Sequence, residues 1–477
     1  MDTLMTALDG GTYQVIVAGG GPAGVAAAIT CGRSGLSTLL IEETGCLGGM
    51  STGGALPFVL GTMTGSIPFL KMLEKGVSYR DAPRPRQAVA GIWSEVMDRI
   101  NREGGGVGPA VPAQTDRYPA LDRLGCHDEY TFDIETGKRV LDEMAMEADV
   151  DVLFFTTALR PDVEGRRIAG LYVINRDGLS YVRCDVVIDC TGDADVVERA
   201  GFSTQKGDPN TGCMTHVSLI THMENVDSGV LTSYLAEGGD PWFREQCARA
   251  ISENPNIEFN DSIIMLPMIQ DGVFMINGGC AFTGFDGTNA KDISALMRVG
   301  RVRAKQILDK VFKPYIPGFL NARIRMTAAY PGIRETRRIV AEYALTEEDL
   351  LVGKDFPDVV ALAGRHFDLS TPTVKPDGSI QLTQPFHEKN LSVKGGITRI
   401  PYRCMVPKGT ENIVAAGRCI AAQGQALGPV RIISTCYATG QAAGTAVSLA
   451  IEKRCRCIDV DVNSLKASLR RQGALIE

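Results

Sequence analysis

The chain has 477 residues, of which 44% are hydrophobic and 22% are charged, and its net charge is −7 at pH 7. This length is too great for one simple core, so we expect two or three packed units. The composition argues against a fibrous or disordered chain, and the negative charge gives no reason to expect a nucleic acid or an anionic membrane as partner.

The thirteen cysteines are scattered without the spacing of metal ligands. Only Cys455 and Cys457 lie close together, and a C-x-C pair alone is weak support for a metal site. Residues 1–20 show no secretory signal, so we expect a cytoplasmic protein with mostly free thiols and no metal.

The first predicted elements form a nucleotide-binding unit. An apolar strand at 13–18 is followed by Gly19-Gly20-Gly21-Pro22-Ala23-Gly24, which satisfies G-x-G-x-x-G. An alanine-rich helix comes next, and a second strand at 37–41 ends at Glu42. The order of strand, glycine turn, helix, strand and acid predicts a dinucleotide site. The alternative, a glycine-rich turn in an unrelated α/β protein, is disfavoured.

Each residue of this unit has a predicted role. Gly19 makes the tight turn, Gly21 lets the backbone approach a pyrophosphate, and Gly24 lets the helix lie close to the strands. Free backbone N–H groups at the helix start, with the positive end of the helix dipole, would stabilise the phosphate charge, and Pro22 and Ala23 at this start belong to the predicted cofactor-binding set. Glu42 would accept hydrogen bonds from the adenosine ribose.

The segment after Glu42 carries Gly48-Gly49-Met50-Ser51, and the glycine pair lets the chain pass close to a long extended ligand. Helices are predicted at 89–102 and 133–148, and strands at 152–156 and 184–190. The last strand ends in Thr191-Gly192-Asp193-Ala194-Asp195.

Near the C-terminus, a strand at 412–416 ends in Gly417-Arg418, and 428–431 is predicted to open a helix over 432–451. That stretch is uncharged and long enough to span a bilayer, but its Ser, Thr, Gln and Gly residues dilute its hydrophobicity. We therefore predict a helix buried on a sheet, with Gly440 and Gly444 permitting close backbone approach, and no membrane span.

Together these segments resemble the FAD-dependent oxidoreductases of the glutathione-reductase-like fold, close to the flavoproteins of fumarate reductase and succinate dehydrogenase. The resemblance rests on the segments 188–195, 416–418, 426–431, 440–446 and 333–346, and so covers nearly the whole chain. It is specific for FAD and unspecific for the substrate.

The resemblance implies further cofactor contacts. Asp193 and Gly417 would lie near the pyrophosphate and the ribityl chain, and Ala158 would contact the adenine through its backbone. Amides at the helix start would face the pyrimidine edge of the flavin, where reduced flavin carries negative charge. The cofactor-binding set also includes Thr191, Gly192, Arg418, Gly428, Arg431, Ile432 and Ile433.

The implied fold is α/β, with a Rossmann-like FAD-binding domain and an inserted α+β substrate or cap domain. The FAD-binding domain would be discontinuous, with segments 1–64, 123–206 and 401–477. Residues 65–122 would form an irregular excursion, and residues 207–400 the cap.

Histidine and arginine side chains are the candidates for catalysis. His216 lies on the predicted first cap strand, a place that often faces the flavin in the resembled fold, and His366 with Asp368 would end a helical stretch. A packed or surface histidine is the alternative for His216, and a solvated loop pair is the alternative for His366 and Asp368. Arg334, Arg337 and Arg338 sit at helical spacing beside Glu335, as a clamp for a carboxylate or polyhydroxylated substrate or as structural ion pairs. We favour the structural reading for Arg337 and leave Arg334 and Arg338 open.

Two motifs of related enzymes are missing from the sequence. Cys46 has no cysteine partner before Cys126, so thiol–disulfide exchange is not expected. No second G-x-G-x-x-G follows a strand between residues 50 and 400, so a dedicated NAD(P)H domain is not expected either.

The sequence thus predicts an FAD-dependent enzyme that transfers a hydride between flavin N5 and a small organic substrate, sugar-like or carboxylate. A flavin monooxygenase and an FAD-binding electron-transfer subunit of a larger complex are the alternatives. The substrate, the electron acceptor, the direction of electron flow, the flavin attachment and homo-oligomer formation stay open.

Overall fold

The computed structural model describes most of the chain. The described residues are 7–64, 86–108, 130–209, 211–240, 242–257, 263–277, 281–365, 367, 369–375, 380–383 and 393–477.

Most strands of the described residues are short. In chain order, the strands are β1 (Leu8–Ala18), β2 (Thr38–Ile41), β3 (Phe58–Val59), β4 (Gly106–Val107), β5 (Tyr130–Phe132), β6 (Val150–Leu153), β7 (Thr157–Glu164), β8 (Arg167–Asn175), β9 (Gly178–Asp189), β10 (Thr204–Lys206), β11 (Val217–Ser218), β12 (Thr221–Glu224), β13 (Ile264–Pro267), β14 (Phe274–Asn277), β15 (Ala281–Phe282), β16 (Arg323–Thr327), β17 (Arg337–Ile339), β18 (Val359–Ala363), β19 (Thr371–Val374), β20 (Ile380–Thr383), β21 (Thr398–Pro401) and β22 (Ile413–Ala415). The longer ones are β1, β7, β8 and β9.

The α-helices of the same residues include two long ones. They are α1 (Pro22–Arg33), α2 (Ile92–Arg102), α3 (Ile134–Glu147), α4 (Asp195–Arg199), α5 (Ser228–Ala236), α6 (Arg244–Glu253), α7 (Ala290–Ile307), α8 (Lys313–Tyr315), α9 (Glu347–Val352), α10 (Leu427–Val430), α11 (Ile433–Lys453) and α12 (Val462–Arg471).

The largest sheet of the described residues has the order β6-β2-β1-β9-β8-β7. The strand β9 pairs with β8 over residues 178–183 and with β22 over residues 187–189. The strands β6, β2, β1, β9 and β22 run parallel, and β7 and β8 add an antiparallel meander. The fold is therefore α/β, with a Rossmann-like mixed sheet and additional smaller sheets, as predicted.

The helix α11 packs chiefly against α1 rather than on a sheet, which corrects that prediction. A Cβ atom on Gly440 would lie 2.0 Å from the carbonyl oxygen of Ala23, and one on Gly444 would lie 2.6 Å from that of Ala27. The two glycines therefore allow the close backbone approach that the sequence predicts. Within the described residues, no helix is long and apolar enough to cross a membrane.

A second sheet, β13-β14-β12-β16, forms the centre of the cap, with β11 and β15 paired beside it. Its buried side chains make a separate hydrophobic core between about residues 217 and 328, joined by Ala55 and Phe58. Buried residues between Ile339 and Leu369 pack instead into the core of the first sheet. This part of the predicted cap segment thus shares the first core, and the predicted boundary at residue 400 stays a prediction.

Two predicted helices are strands in the structure. Residues 337–339 form β17, which pairs with β10, and residues 359–363 form β18, which pairs with β21. A short run of residues can satisfy the spacing of a helix and also form a strand. Here a strand from a distant part of the chain provides the hydrogen bonds that decide for the strand.

Candidate active site

The predicted nucleotide-binding residues meet at one edge of the first sheet. In the strand register, Ala18 pairs with Ile41 and with Asp189, and Asp189 pairs with Ala415. The turns that follow these four strands therefore begin at the same level. Ligands of open α/β sheets bind in the crevice outside this carboxyl edge.

The glycine turn has the geometry that its sequence predicts. Gly19 has a φ of +100°, and a Cβ atom there would lie 2.5 Å from the carbonyl oxygen of Cys190. A Cβ atom on Gly24 would lie only 1.7 Å from the oxygen of Gly19. A Cβ atom on Gly21, in contrast, would meet no atom within 4 Å, so this backbone faces open space.

The helix α1 begins at Pro22, after an N-cap residue, Gly21, without a side-chain cap. The first amides of a helix have no partner within it, so those of Ala23 and Gly24 are available to an anion in front of the turn. The predicted role of this helix start is consistent with the geometry.

Glu42 is buried and is held by two backbone amides. Gly20 N donates to Oε2 and Thr44 N donates to Oε1, each at 2.7 Å. A carboxylate has about four lone-pair positions, so both oxygens can still accept from a sugar hydroxyl. Glu42 also fixes the glycine turn, a structural role that the sequence does not reveal.

The loop that carries Gly48-Gly49-Met50-Ser51 lies against the glycine turn. Gly48 N donates to the carbonyl oxygen of Gly20 at 2.8 Å, and a Cβ atom on Gly49 would lie 3.0 Å from Cα of Gly21. Ser51 Oγ donates to the carbonyl oxygen of Gly48 at 2.7 Å. We call residues 48–55 the cofactor loop.

The segment after β9 is tied to the C-terminal part of the chain. Asp193 forms an ion pair with Arg418 at 2.8 Å and accepts a hydrogen bond from Thr336. Gly192, with a φ of +78°, leaves room for the Arg418 guanidinium. Thr191 Oγ1 accepts from the amide that starts α4. The predicted cofactor residues Asp193 and Arg418 thus lie together, each with its charge already paired.

Gly417 reaches the start of α1. Its φ is +82°, a Cβ atom on it would lie 3.0 Å from Cβ of Ala23, and its amide donates to Thr439 Oγ1 at 3.1 Å. Chain segments almost 400 residues apart therefore border the same crevice.

The long C-terminal helix begins later than predicted. Gly428 lies in the short helix α10, and Arg431 N donates to the carbonyl oxygen of Leu427 at 3.2 Å, so its amide is already used. Ile432 is the N-cap of α11, whose first residue is Ile433. The predicted amide contact with the flavin can therefore come only from Ile432, Ile433 and the residues that follow.

An aromatic residue that was not predicted lies beside the segment that follows Glu42. Phe155 is 60% exposed, has a φ of +51°, and its ring covers Gly45. Ala158 lies in β7, where it pairs with Val173 of β8, and its carbonyl oxygen accepts from Arg199 at 2.5 Å. No sequence signal identifies Phe155, because an exposed phenylalanine after a strand is not distinctive.

The cap meets the cofactor loop near Met50. A Cβ atom on Gly332 would lie 3.0 Å from Ser218 Oγ and 3.4 Å from Cε of Met50. Arg334 Nη1 donates to the carbonyl oxygen of His216 and to Ser218 Oγ, each at 3.2 Å. The structure therefore brings two predicted catalytic residues, His216 and Arg334, to the loop expected to lie along the cofactor.

The other two arginines have structural roles. Arg338 is buried, pairs with Glu335 at 2.5 Å and donates to the carbonyl oxygen of Gly207 at 2.9 Å. Arg337 pairs with Asp195. These contacts agree with the structural role that we favoured for Arg337. They support a structural role for Arg338 as well.

Tyr330 and His222 were not predicted, and both hold the cofactor loop to the cap. The Tyr330 ring would lie 2.8 Å from a Cβ atom on Gly53, and its pKa is raised by burial and by the nearby Cys46 and Glu42. His222 Nε2 lies 2.8 Å from the carbonyl oxygen of Ala55, and burial lowers the pKa of the imidazole.

His366 and Asp368 lie outside the described residues, so the structure does not place them. Every described cysteine is free of disulfide bonds, and Cys46 is half-buried beside Thr52. Among the same residues, no three His, Cys, Asp or Glu side chains are grouped as a metal site.

Comparison with known proteins gives the family. A model of the family "FAD dependent oxidoreductase" matches residues 14–469. Digeranylgeranylglycerophospholipid reductase of Methanoculleus marisnigri is 28% identical over 224 residues, which are 47% of this chain and 49% of that protein. The match thus spans about half the length of that relative.

Two solved structures are similar to this chain at low identity. A geranylgeranyl bacteriochlorophyll reductase-like protein of Thermoplasma acidophilum is 15% identical, with 97% of this chain and 84% of that chain covered and a TM-score of 0.44. The p-nitrophenol 4-monooxygenase of Pseudomonas putida is 11% identical, with 96% and 88% covered and a TM-score of 0.46. On the match to the family model, which covers almost the whole chain, this protein belongs to the FAD-dependent oxidoreductases, and FAD is its cofactor.

Proposed function

We propose that this enzyme transfers a hydride between the flavin and a small organic substrate whose anionic group is bound by Arg334. The observation that carries the proposal is the position of Arg334. Its guanidinium is held by His216 and Ser218 on the cap, and Ser218 adjoins the Met50 side of the cofactor loop.

The carboxyl edge of the first sheet fits FAD. The open space at Gly21 admits a pyrophosphate, and the uncapped start of α1 provides amides for its charge. Glu42 is oriented to accept from the ribose, and Gly417 closes the crevice from the C-terminal side. When bound, FAD supplies the chemistry of hydride acceptance or donation at N5.

Arg334 suits an anionic substrate group. A guanidinium binds carboxylate and phosphate oxygens through parallel N–H donors, and it stays charged at all physiological pH values. The bonds to His216 O and Ser218 Oγ restrict its orientation, so less side-chain entropy is lost when a substrate binds.

We assign proton transfer to His216. It is half-buried, directly precedes β11, and holds Arg334 through its own carbonyl oxygen. An acid or base is required when a hydroxyl or an activated C–H proton moves together with the hydride. The backbone of His216 lies beside the Arg334 guanidinium, so the proton would be exchanged at this end of the cap.

Two resemblances support an anionic substrate. The narrower likeness to fumarate reductase and succinate dehydrogenase flavoproteins, which stays a prediction, implies a carboxylate. The relative from Methanoculleus marisnigri is named as a phospholipid reductase, and a phosphate would bind a guanidinium by the same chemistry. The monooxygenase and electron-transfer-subunit alternatives stay predictions as well.

The test uses anaerobic bleaching of the flavin's visible absorbance by three sets of donors: hydroxycarboxylates, phosphorylated alcohols and uncharged polyols. In the Arg334→Gln variant we expect the half-saturating concentration of anionic donors to rise about 10- to 100-fold, since a charge-assisted interaction of about 1.5–3 kcal/mol is lost. FAD content should not change.

The matched control is Arg325→Gln, which removes an exposed arginine of the cap strand β16 that pairs with Glu224. This control should bleach like the wild type. Equal donor dependence in the wild type and Arg334→Gln would refute the assignment, as would bleaching by polyols alone. Preference for one anionic set would distinguish a carboxylate from a phosphate.

A further inference from the structure

The solvent-facing side of α7 combines positive charge with exposed apolar side chains. Val299 is 45% exposed and Val302 is 60% exposed, although neither belongs to a disordered or terminal segment. Beside them, four basic residues recur at intervals of three, four or seven, which places them on one side of a helix. We call this set the basic face: Lys291, Arg298, Val299, Arg301, Val302 and Lys305.

The charge of the basic face contrasts with that of the chain. The stretch 290–313 carries seven basic and two acidic residues, whereas the whole protein has a net charge of −7. Lys305 pairs with Asp309. Within the described part of the chain, Arg298 and Arg301 form no ion pair, so their charges face the solvent uncompensated.

The helix beneath this face is firmly held. Asn289 caps it by accepting from the amides of Lys291 and Asp292, and its bulky apolar residues, among them Leu296 and Ile307, are buried in the cap core. The basic face is therefore a fixed surface about 21 Å long rather than a flexible segment.

The other side of α7 adjoins the candidate active site. A Cβ atom on Gly300 would lie 2.7 Å from Cδ2 of Leu219, so the helix backbone rests on this residue. Leu219 directly follows Ser218, which holds Arg334. Only the width of α7 thus separates the basic face from Leu219 and the adjoining strand β11, whose Ser218 holds Arg334.

We propose that the basic face is the docking site of an acidic, one-electron carrier protein that exchanges electrons with the flavin. Positive charge around a small apolar centre suits a weak electron-transfer interface, where electrostatic attraction sets the rate of encounter and the buried area stays below about 1,200 Å². The absence of a second nucleotide-binding motif from the sequence agrees with an external electron partner.

A lipid surface fits the same face less well. Helices that lie in a membrane interface insert Trp, Phe or Leu side chains. Here the exposed apolar residues of α7 are only alanines and valines, namely Ala290, Ala295, Val299 and Val302, whereas Leu296, Met297 and Ile307 are buried in the cap core. The basic face therefore offers charge and a shallow apolar contact but no side chain of inserting size.

The proposal rests on the proposed flavin chemistry. In the direction of flavin reduction, two carrier molecules lose one electron each, and these two electrons with one proton from solvent reduce the flavin. In the other direction the same electrons return to two oxidised carriers and the proton is released. No further oxidant or reductant is required.

The test compares two double variants with the same change of charge, Arg298→Glu/Arg301→Glu on the basic face and Arg176→Glu/Arg471→Glu elsewhere on the surface. The probe is an acidic [2Fe–2S] ferredoxin. Its affinity is measured by titration calorimetry, and the rate at which its reduced form bleaches the flavin is measured by anaerobic stopped-flow. Reduction by dithionite serves as the carrier-independent reference.

We expect the basic-face variant to lose at least about 10-fold in ferredoxin affinity and bleaching rate, the low end of electrostatic steering effects. Added salt should weaken the wild type in the same way, and the control variant and dithionite reduction should be unaffected. Equal behaviour of both double variants would overturn the proposal.

Three other results separate the alternatives. If only the basic-face variant lost binding to vesicles of anionic phospholipid while ferredoxin binding was unchanged, the occupant would be a membrane and the proposal would be wrong. A change in sedimentation coefficient alone would indicate a second copy and would also refute it. A protein without FAD would refute the proposed function, whereas the calorimetric affinity would still test the docking face.

Discussion

The two sides of the candidate site are built from contacts of very different range along the chain. At the carboxyl edge of the first sheet, Gly19, Gly24 and Glu42 are neighbours within one strand–turn–helix–strand unit. On the cap side, Arg334 contacts residues that precede it by more than one hundred positions, including a separation of 118 residues to His216. Local turn chemistry therefore specifies the glycine turn of the cofactor side, which distant Gly417 then completes, while the substrate side depends throughout on how the cap folds.

The largest expected effect is a loss of folding on the cofactor side. Gly24→Ala places a methyl group 1.7 Å from the carbonyl oxygen of Gly19, so α1 must move off the sheet. Overpacking of this kind costs about 1–3 kcal/mol or more, and we expect little folded protein. Thermal unfolding and soluble yield measure the effect.

Gly21→Ala is the matched variant for this comparison. Its methyl group meets no protein atom within 4 Å, and the φ of −68° suits alanine, so the apo-protein should be as stable as the wild type or about 0.4–1 kcal/mol more stable. FAD affinity, measured by flavin fluorescence, should fall about 10-fold or more, because the methyl group keeps the pyrophosphate from its hydrogen bonds with the backbone amides of the turn. Normal FAD affinity of Gly21→Ala would show that the pyrophosphate lies elsewhere.

At Glu42 a smaller effect on folding than that of Gly24→Ala is expected. Glu42→Gln should weaken FAD binding by about 1.5–3 kcal/mol, since a charge-assisted hydrogen bond to the ribose is lost. The glutamine amide would also face a backbone N–H of Gly20 or Thr44, so a modest loss of apo-protein stability should accompany it.

Glu43→Gln provides the control for that measurement. Glu43 is exposed, and the amides of Gly20 and Thr44 donate to Glu42 instead, so neutralising Glu43 should leave FAD affinity almost unchanged. Equal losses in the two variants would mean that the ribose is not specifically bound by Glu42.

The smallest effect concerns the contact between the two sides. Burial lowers the pKa of His222 below its ordinary value of 6.5, so the neutral ring donates to Ala55 of the cofactor loop. As the pH falls below about 6.5, the unfolded chain takes up a proton that the folded protein does not, and the free energy of unfolding decreases by at most about 1.4 kcal/mol per pH unit. Above that pH the contribution is fully present.

Urea unfolding at about pH 7.5 and about pH 5.5 measures this dependence, because the linear extrapolation gives the free energy of unfolding at each pH. In His222→Gln the amide can still donate to Ala55 but cannot titrate, so the pH dependence should be shallower than in the wild type. The same slope in both proteins would show that His222 does not contribute to acid sensitivity.

The cap illustrates where sequence reasoning failed. Arg334, Arg337 and Arg338 have helical spacing, yet 337–339 form a strand because β10, more than 130 residues earlier, pairs with them. Residues 359–363 form a strand for the same reason, with β21 as partner. Tyr330 and His222 were missed because their importance comes only from what they touch.

The sequence by itself determined the α/β class, the glycine turn, Glu42 and the close backbone approach at Gly440 and Gly444, because the order of the elements and the conformation or size of these residues can be read along the chain. The tertiary structure decided that these two glycines face α1 rather than a sheet. Only the tertiary structure decided that Arg338 is buried in an ion pair while Arg334 lies beside the cofactor loop, and that the positive charge of α7 is gathered on one exposed side. Burial and pairing depend on contacts between distant segments, and the free energy of such contacts is set by the assembled fold rather than by the residues that precede or follow them.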